Sequence, residues 1–193
     1  MAIDISNLAQ ENHRYAIHLA TREKVIAYKN GFFSLENYVL EEPHFVVDFY
    51  RNTALACELL LKAALLKHHI NFFKRRENCE YGEKVIALTN KWLAANLKEL
   101  TIDYISQINT GTAASTLKAA EAAFGKLSIE KEKFQFITKA FYLIIRTRRN
   151  RNSHFFFSNM ARFDISEVEM VYLPLLNILE DLYEMPKRDE FPV

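Results

Sequence analysis

From Ala54 to Leu66 the chain reads A-L-A-C-E-L-L-L-K-A-A-L-L, and every residue except Glu58 and Lys62 is Ala, Leu or Cys. A helix that is apolar on nearly all sides is buried on nearly all sides. This stretch, within Asn52–Ile70, therefore predicts a central helix with other helices packed around it. Pro43 opens the same helix, in the first turn where proline is tolerated. Glu58 and Lys62 are four positions apart, in the order that favours an ion pair. On an exposed face such a pair is worth roughly 0.3–0.5 kcal/mol, but in a buried helix two charges need partners to be kept at all.

The remaining sequence fits an all-α chain. Its 193 residues include only 4 Gly and 4 Pro, and half are hydrophobic. That length supports one domain with a sizeable core, spanning 1–193, and such apolar content excludes a disordered chain. Helical spacing of Leu8, Tyr15, Leu19 and Ile26 predicts a first helix from about Asn7 to Lys29, closed by Asn30-Gly31. Phe32–Glu42 is a connector, with a turn of helix started by Ser34. Asn71–Glu83 is a polar loop carrying Lys74, Arg75 and Arg76. Lys84–Gln107 is helical, with Trp92 in the core and an interruption near Lys98–Thr101. Ala-rich Thr112–Phe124 is a further helix, ended by Gly125. Ser128 starts a helix in which Phe134, Ile137, Phe141 and Ile144 recur on one side. Ser166-x-x-Glu169 is a capping box for the last helix, which runs to about Met185 and which Pro174 should kink. The expected architecture is an antiparallel helical bundle of four long helices plus one or two short ones.

Several functions are excluded or disfavoured. Gly111 and Gly125 stand alone, so phosphate-loop and dinucleotide fingerprints are absent. Cys57 and Cys79 do not make a disulfide or zinc framework. His13 and His18 face different ways and are expected at surface or edge positions, and no metal or other cofactor is expected. With no secretory pattern at Met1–Asn12 and no apolar run long enough to span a bilayer, the expectation is a cytoplasmic protein without membrane contact.

The chemistry concentrates at Ile144–His154, I-I-R-T-R-R-N-R-N-S-H. Net charge is only +1, yet five of the eleven arginines lie between Arg146 and Arg162. This local charge is flanked by the apolar helix before it and by Phe155-Phe156-Phe157 after it, and charge beside a core or interface requires a partner. Arginine offers a planar, permanently cationic fork matched to phosphate oxygens, and histidine moves protons near neutral pH. Asparagine can hold either by hydrogen bonds. Arg and His with no carboxylate in the run suit metal-free phosphodiester chemistry on RNA: one group handles the 2′-hydroxyl proton and another neutralises the developing phosphorane charge. The competing reading is a basic patch for an acidic partner.

Arg149-Asn150-x-x-x-His154 resembles the R-x(4–6)-H motif of the HEPN superfamily, with the usual polar residue after the arginine. Arg148 also fits the allowed range, and Asn150 favours Arg149. The string A-x-E-L-L-L-K-A-A-L around Glu58 and Lys62 resembles the family's second core helix. The resemblance implies a metal-independent endoribonuclease of the toxin or phage-defence kind, working as a homodimer through the Arg149–His154 region. Carried over by position, Arg149 stabilises the phosphorane, His154 acts as general base or acid, and Asn150 fixes geometry. Arg146, Arg148 and Arg151 steer RNA. Glu58 and Lys62 either form an internal salt bridge or orient the later motif. In a straight helix Arg149 and His154 are rotated by about 140°, so convergence needs either a distorted helix end or two copies across a two-fold axis. The resemblance implies the second arrangement. Where one subgroup has a modifiable Tyr two residues past the His, this chain has Phe156, so the nucleotidyltransferase antitoxin link of that subgroup is in doubt, while another antitoxin or a sensor protein remains open. The alternatives are a non-catalytic HEPN-like binding or assembly module for RNA, a nucleotide or an acidic protein, and a structural cluster tying the bundle to its dimer mate.

Overall fold

The computed structural model describes residues 2–4, 8–68, 70, 72, 74–75, 99–101, 108–109, 113–122, 129–144 and 162–185. The fold is mainly α. Helices α1 (Leu8–Thr21), α2 (Pro43–Lys67), α3 (Ala113–Ala122) and α4 (Lys131–Ile144) are followed by a short α5 (Ile165–Glu167), a π-helical segment (Val168–Tyr172) and α6 (Leu173–Glu184). Against the all-α expectation, three two-stranded antiparallel sheets are also present. They pair β1 (Ala2–Asp4) with β5 (Glu99–Thr101), β2 (Ile26–Lys29) with β3 (Phe32–Leu35), and β4 (Lys74–Arg75) with β6 (Ile108–Asn109).

Helix α2 is the central rod expected from its composition. Its 25 residues span about 37 Å, and from Ala54 to Leu66 all but Leu55, Leu59 and Lys62 are buried. Pro43 stands at its start as expected. α1 and α6 pack directly on α2. α4 joins the same core through Ile137, Ala140, Phe141 and Ile144, the stripe that the i, i+3, i+7, i+10 spacing anticipates.

The first helix is shorter than its periodicity suggests. α1 stops at Thr21, and Asn30-Gly31 is a hairpin turn rather than a helix stop. Asn30 and Gly31 both have positive φ, 53° and 78°, the two-residue turn whose twist matches that of the flanking strands. The pairing sets Tyr28 opposite Phe33 and Ile26 opposite Leu35. Ser34 is therefore a strand residue and starts no helix. Two other expectations change in the same way. Lys74 and Arg75 are strand residues, and the interruption expected near Lys98–Thr101 takes the form of a strand, Glu99–Thr101. The rest of Lys84–Gln107, with Trp92, lies outside the described residues.

The last helix begins two residues earlier than expected. Its cap is Asp164, whose Oδ1 accepts from the backbone N–H of Ser166 at 2.9 Å and of Glu167 at 3.3 Å. Pro174, which lacks an N–H, acts here through register. The backbone before it widens to a π turn in which the Leu173 N–H reaches the Val168 carbonyl. The helical conformation continues through Leu173 into α6.

The hairpin turn gives a direct test. A Cβ added at Gly31 meets nothing within 4 Å, so only the left-handed backbone penalises a side chain there. Gly31→Ala is expected to lower stability by about 1 kcal/mol in urea titrations, without any change in the folded-state spectrum.

Candidate functional site

Arg146, Arg148, Arg149, Asn150, Arg151 and His154 lie outside the described residues. What the structure does define is how the chain enters and leaves that stretch. Ile144, the last residue of α4, is completely buried. On the far side, Phe163 packs on Phe49 and Tyr50 of α2, with ring centroids 5.7 and 6.4 Å away. The Tyr50 hydroxyl accepts from the Asp164 N–H at 2.9 Å. Ile144 and Phe163, the described residues flanking 145–161, therefore both belong to the same core.

Among the described residues three carboxylates reach into this core, two of them, Glu58 and Glu180, buried and the third, Glu23, half-buried. Glu58 is 3 % exposed and accepts from Lys62 Nζ at 2.8 Å, so the spacing of the two residues is realised as an ion pair. The pair lies within one helix and holds its own charge balance.

Glu23 stands at the turn from α1 into β2, beside Lys24, whose φ is +57°. Its Oε1 accepts from Asn52 Nδ2 at 2.7 Å, while its Oε2 is buried with no hydrogen-bond partner among the described residues. Burial raises its pKa above the ordinary carboxylate value, and the Asn52 hydrogen bond opposes that only in part.

The third carboxylate, Glu180 of α6, is 1 % exposed and gathers three elements. His13 of α1 places Nε2 3.0 Å from Glu180 Oε1 and 2.8 Å from Oε2. Tyr28 of β2 donates its hydroxyl to Glu180 Oε1. Because both carboxylate oxygens accept, His13 Nε2 carries the hydrogen when Glu180 is ionised. The His13 ring lies flat on Tyr183, centroids 3.9 Å apart and planes 9° from parallel. Burial first, then the hydrogen bond to Glu180, pushes the Tyr28 phenol far above its ordinary value, so it remains a donor. Burial also raises Tyr183, and the Glu184 and Glu180 charges add to this.

His13 is thus a nearly buried, ring-stacked residue and not the surface or edge residue expected from its spacing to His18. Together with Glu184, His13 and Glu180 form a group whose ligand atoms all lie within 4.8 Å of one another. Sequence reasoning missed this cluster because 167 positions separate His13 from Glu180. The only local signal was the i, i+4 spacing of Glu180 and Glu184.

Comparison with protein-family models, with curated proteins and with solved structures finds no match. Among the described residues no helix is long and apolar enough to cross a membrane.

Two outcomes follow from the buried carboxylates. Lys62→Met removes the cation facing Glu58 and is expected to lower stability by about 3 kcal/mol in chemical denaturation. A Glu58→Gln/Lys62→Met double variant should recover part of that loss. Glu23 has a folded-state pKa above its unfolded value. The folded state therefore keeps a proton that the unfolded chain releases, and stability falls as pH rises from about 4.5 through the folded pKa. Glu23→Gln should raise the melting temperature at pH 7.5 and leave it nearly unchanged at pH 4.

Proposed function

We propose that this protein is a metal-independent endoribonuclease of the toxin or phage-defence kind, acting as a homodimer with a HEPN-like bundle of four long helices. Arg149 stabilises the phosphorane, His154 transfers the proton of the 2′-hydroxyl or leaving oxygen, and Asn150 fixes their geometry. Arg146, Arg148 and Arg151 attract the RNA backbone. Glu58 and Lys62 stiffen the central helix beneath.

The observation that carries this reading is the anchoring of both ends of the arginine run. Ile144 is fully buried one residue before the run begins at Ile145, and Phe163 packs on α2 soon after it ends. A basic tail for loose electrostatic contact needs neither anchor. A catalytic arginine and histidine need both, because proton transfer and charge stabilisation depend on fixed positions. The low glycine content and the lack of phosphate-loop patterns agree with chemistry that uses no nucleotide cofactor.

The test is cleavage of total RNA by the purified protein in EDTA, beside His154→Ala. The expected result is cleavage by the native chain only, with the variant still folded and dimeric. Equal cleavage by both proteins would falsify the assignment of His154. Salt-dependent RNA binding without products from either protein would turn the reading to a binding module.

A further inference from the structure

The C-terminal end of α6 has an unusual charge problem. Glu180, Asp181 and Glu184 fall in its last five residues, and no basic residue occupies its last turn. Carboxylates here face the negative end of the helix dipole, where cations belong. Glu180 and Glu184 are also an i, i+4 like-charge pair, which is unfavourable by itself. Glu184 is exposed and, unlike Glu180, makes no hydrogen bond or ion pair with any described residue. Two cations stand near Tyr183. Lys67 Nζ sits 4.3 Å from the Tyr183 ring centroid, and the charge of Arg14 acts on Tyr183 as well.

Against this excess of negative charge the fold aims one nitrogen ligand. His13 Nε2 points at the Glu180 carboxylate, and one ring nitrogen of His13 lies with one oxygen of each glutamate inside a 4.8 Å group. The supporting contacts hold these atoms in place. Tyr28 fixes the Glu180 carboxylate, and the Tyr183 stack fixes the His13 ring plane. Hydrogen bonding to a ligating carboxylate from a neighbouring side chain is the arrangement that orients metal ligands. One imidazole and two carboxylates suit a borderline divalent cation, and solvent at exposed Glu184 leaves room for water to complete the coordination.

We propose that His13, Glu180 and Glu184 bind a first-row divalent cation of the zinc type, which clamps α6 to α1. On binding, the metal takes the Nε2 lone pair in place of the hydrogen bond to Glu180: a neutral ring carries its one hydrogen on Nδ1 instead, and a cationic ring loses its Nε2 proton to solvent and keeps the one on Nδ1. The Tyr28 hydrogen bond to Glu180 is kept. The clamp is separate from the Arg149–His154 chemistry, so it stands or falls independently of nuclease activity.

The experiment is calorimetric titration of EDTA-treated, dialysed protein with zinc chloride, followed by cobalt(II) as a spectroscopic probe. The expected result is one equivalent bound at micromolar affinity, visible d–d absorption with cobalt, and a melting temperature raised by about 5 °C at a hundredfold excess over Kd. Glu184→Gln, which alters only an exposed carboxylate, should weaken binding at least tenfold without lowering the metal-free melting temperature. His13→Asn should abolish binding. Absence of saturable one-equivalent binding, or equal affinity in the native chain and Glu184→Gln, overturns the proposal.

Discussion

Helix α2 is buried along most of its length, and this sets the terms for its surroundings. An all-round apolar helix supplies a large hydrophobic contribution, but each polar group it carries needs a partner inside. These polar groups then become the points at which neighbouring segments are fixed. Tyr50 receives the backbone of Asp164 and so sets the start of α5. Asn52 holds Glu23 and so sets the turn after α1. Glu58 and Lys62 pair with each other. At the C-terminal end His68 donates to the Leu182 carbonyl at 3.0 Å and ties the rod to α6. Apolar burial gives cohesion, while these bonds give position.

α6 applies the same logic to the hairpin. Asn177 accepts from the Phe33 N–H at 2.8 Å and donates to the Phe33 carbonyl at 2.9 Å, so one side chain satisfies both backbone groups of a strand residue. One turn later Glu180 takes the Tyr28 hydroxyl. Tyr28 and Phe33 are paired across the hairpin, and their rings lie 4.7 Å apart. A two-stranded hairpin is marginal on its own; here the backbone groups of Phe33 and the half-buried Tyr28 phenol are both held by a helix 144 or more positions away.

The features that were legible in the sequence depend on near neighbours along the chain. The burial of α2, the proline at its start, the Glu58–Lys62 pair and the apolar face of α4 follow from spacings of three, four and seven residues. The hairpin was also legible, since Asn-Gly between Tyr28 and Phe33 carries a turn signal, but the helical periodicity of Tyr15, Leu19 and Ile26 ran through it and masked it. The capping residue was misplaced for a related reason: Ser166 and Asp164 both offer an oxygen, and only the backbone shows that Asp164 is the one in extended conformation. His13 was misread because its environment is made by α6 and β2, whose approach no local pattern encodes. The HEPN resemblance belongs to a different category, since it rests on Arg149, Asn150 and His154, which lie outside the described residues.

Both proposals follow from how this chain distributes its charge. A net charge of +1 conceals an arginine-rich run at one place in the sequence and a carboxylate-rich helix end at another. The run contains no acid, and the last turn of α6 contains no base. Glu58 and Lys62 show the other solution, a charge and its counter-charge one helical turn apart. Charge of one sign concentrated in a short stretch favours a counter-ion from outside it. Phosphate is the counter-ion suited to planar arginine forks. For an imidazole and two carboxylates held by a phenol and a stacked ring, it is a divalent cation.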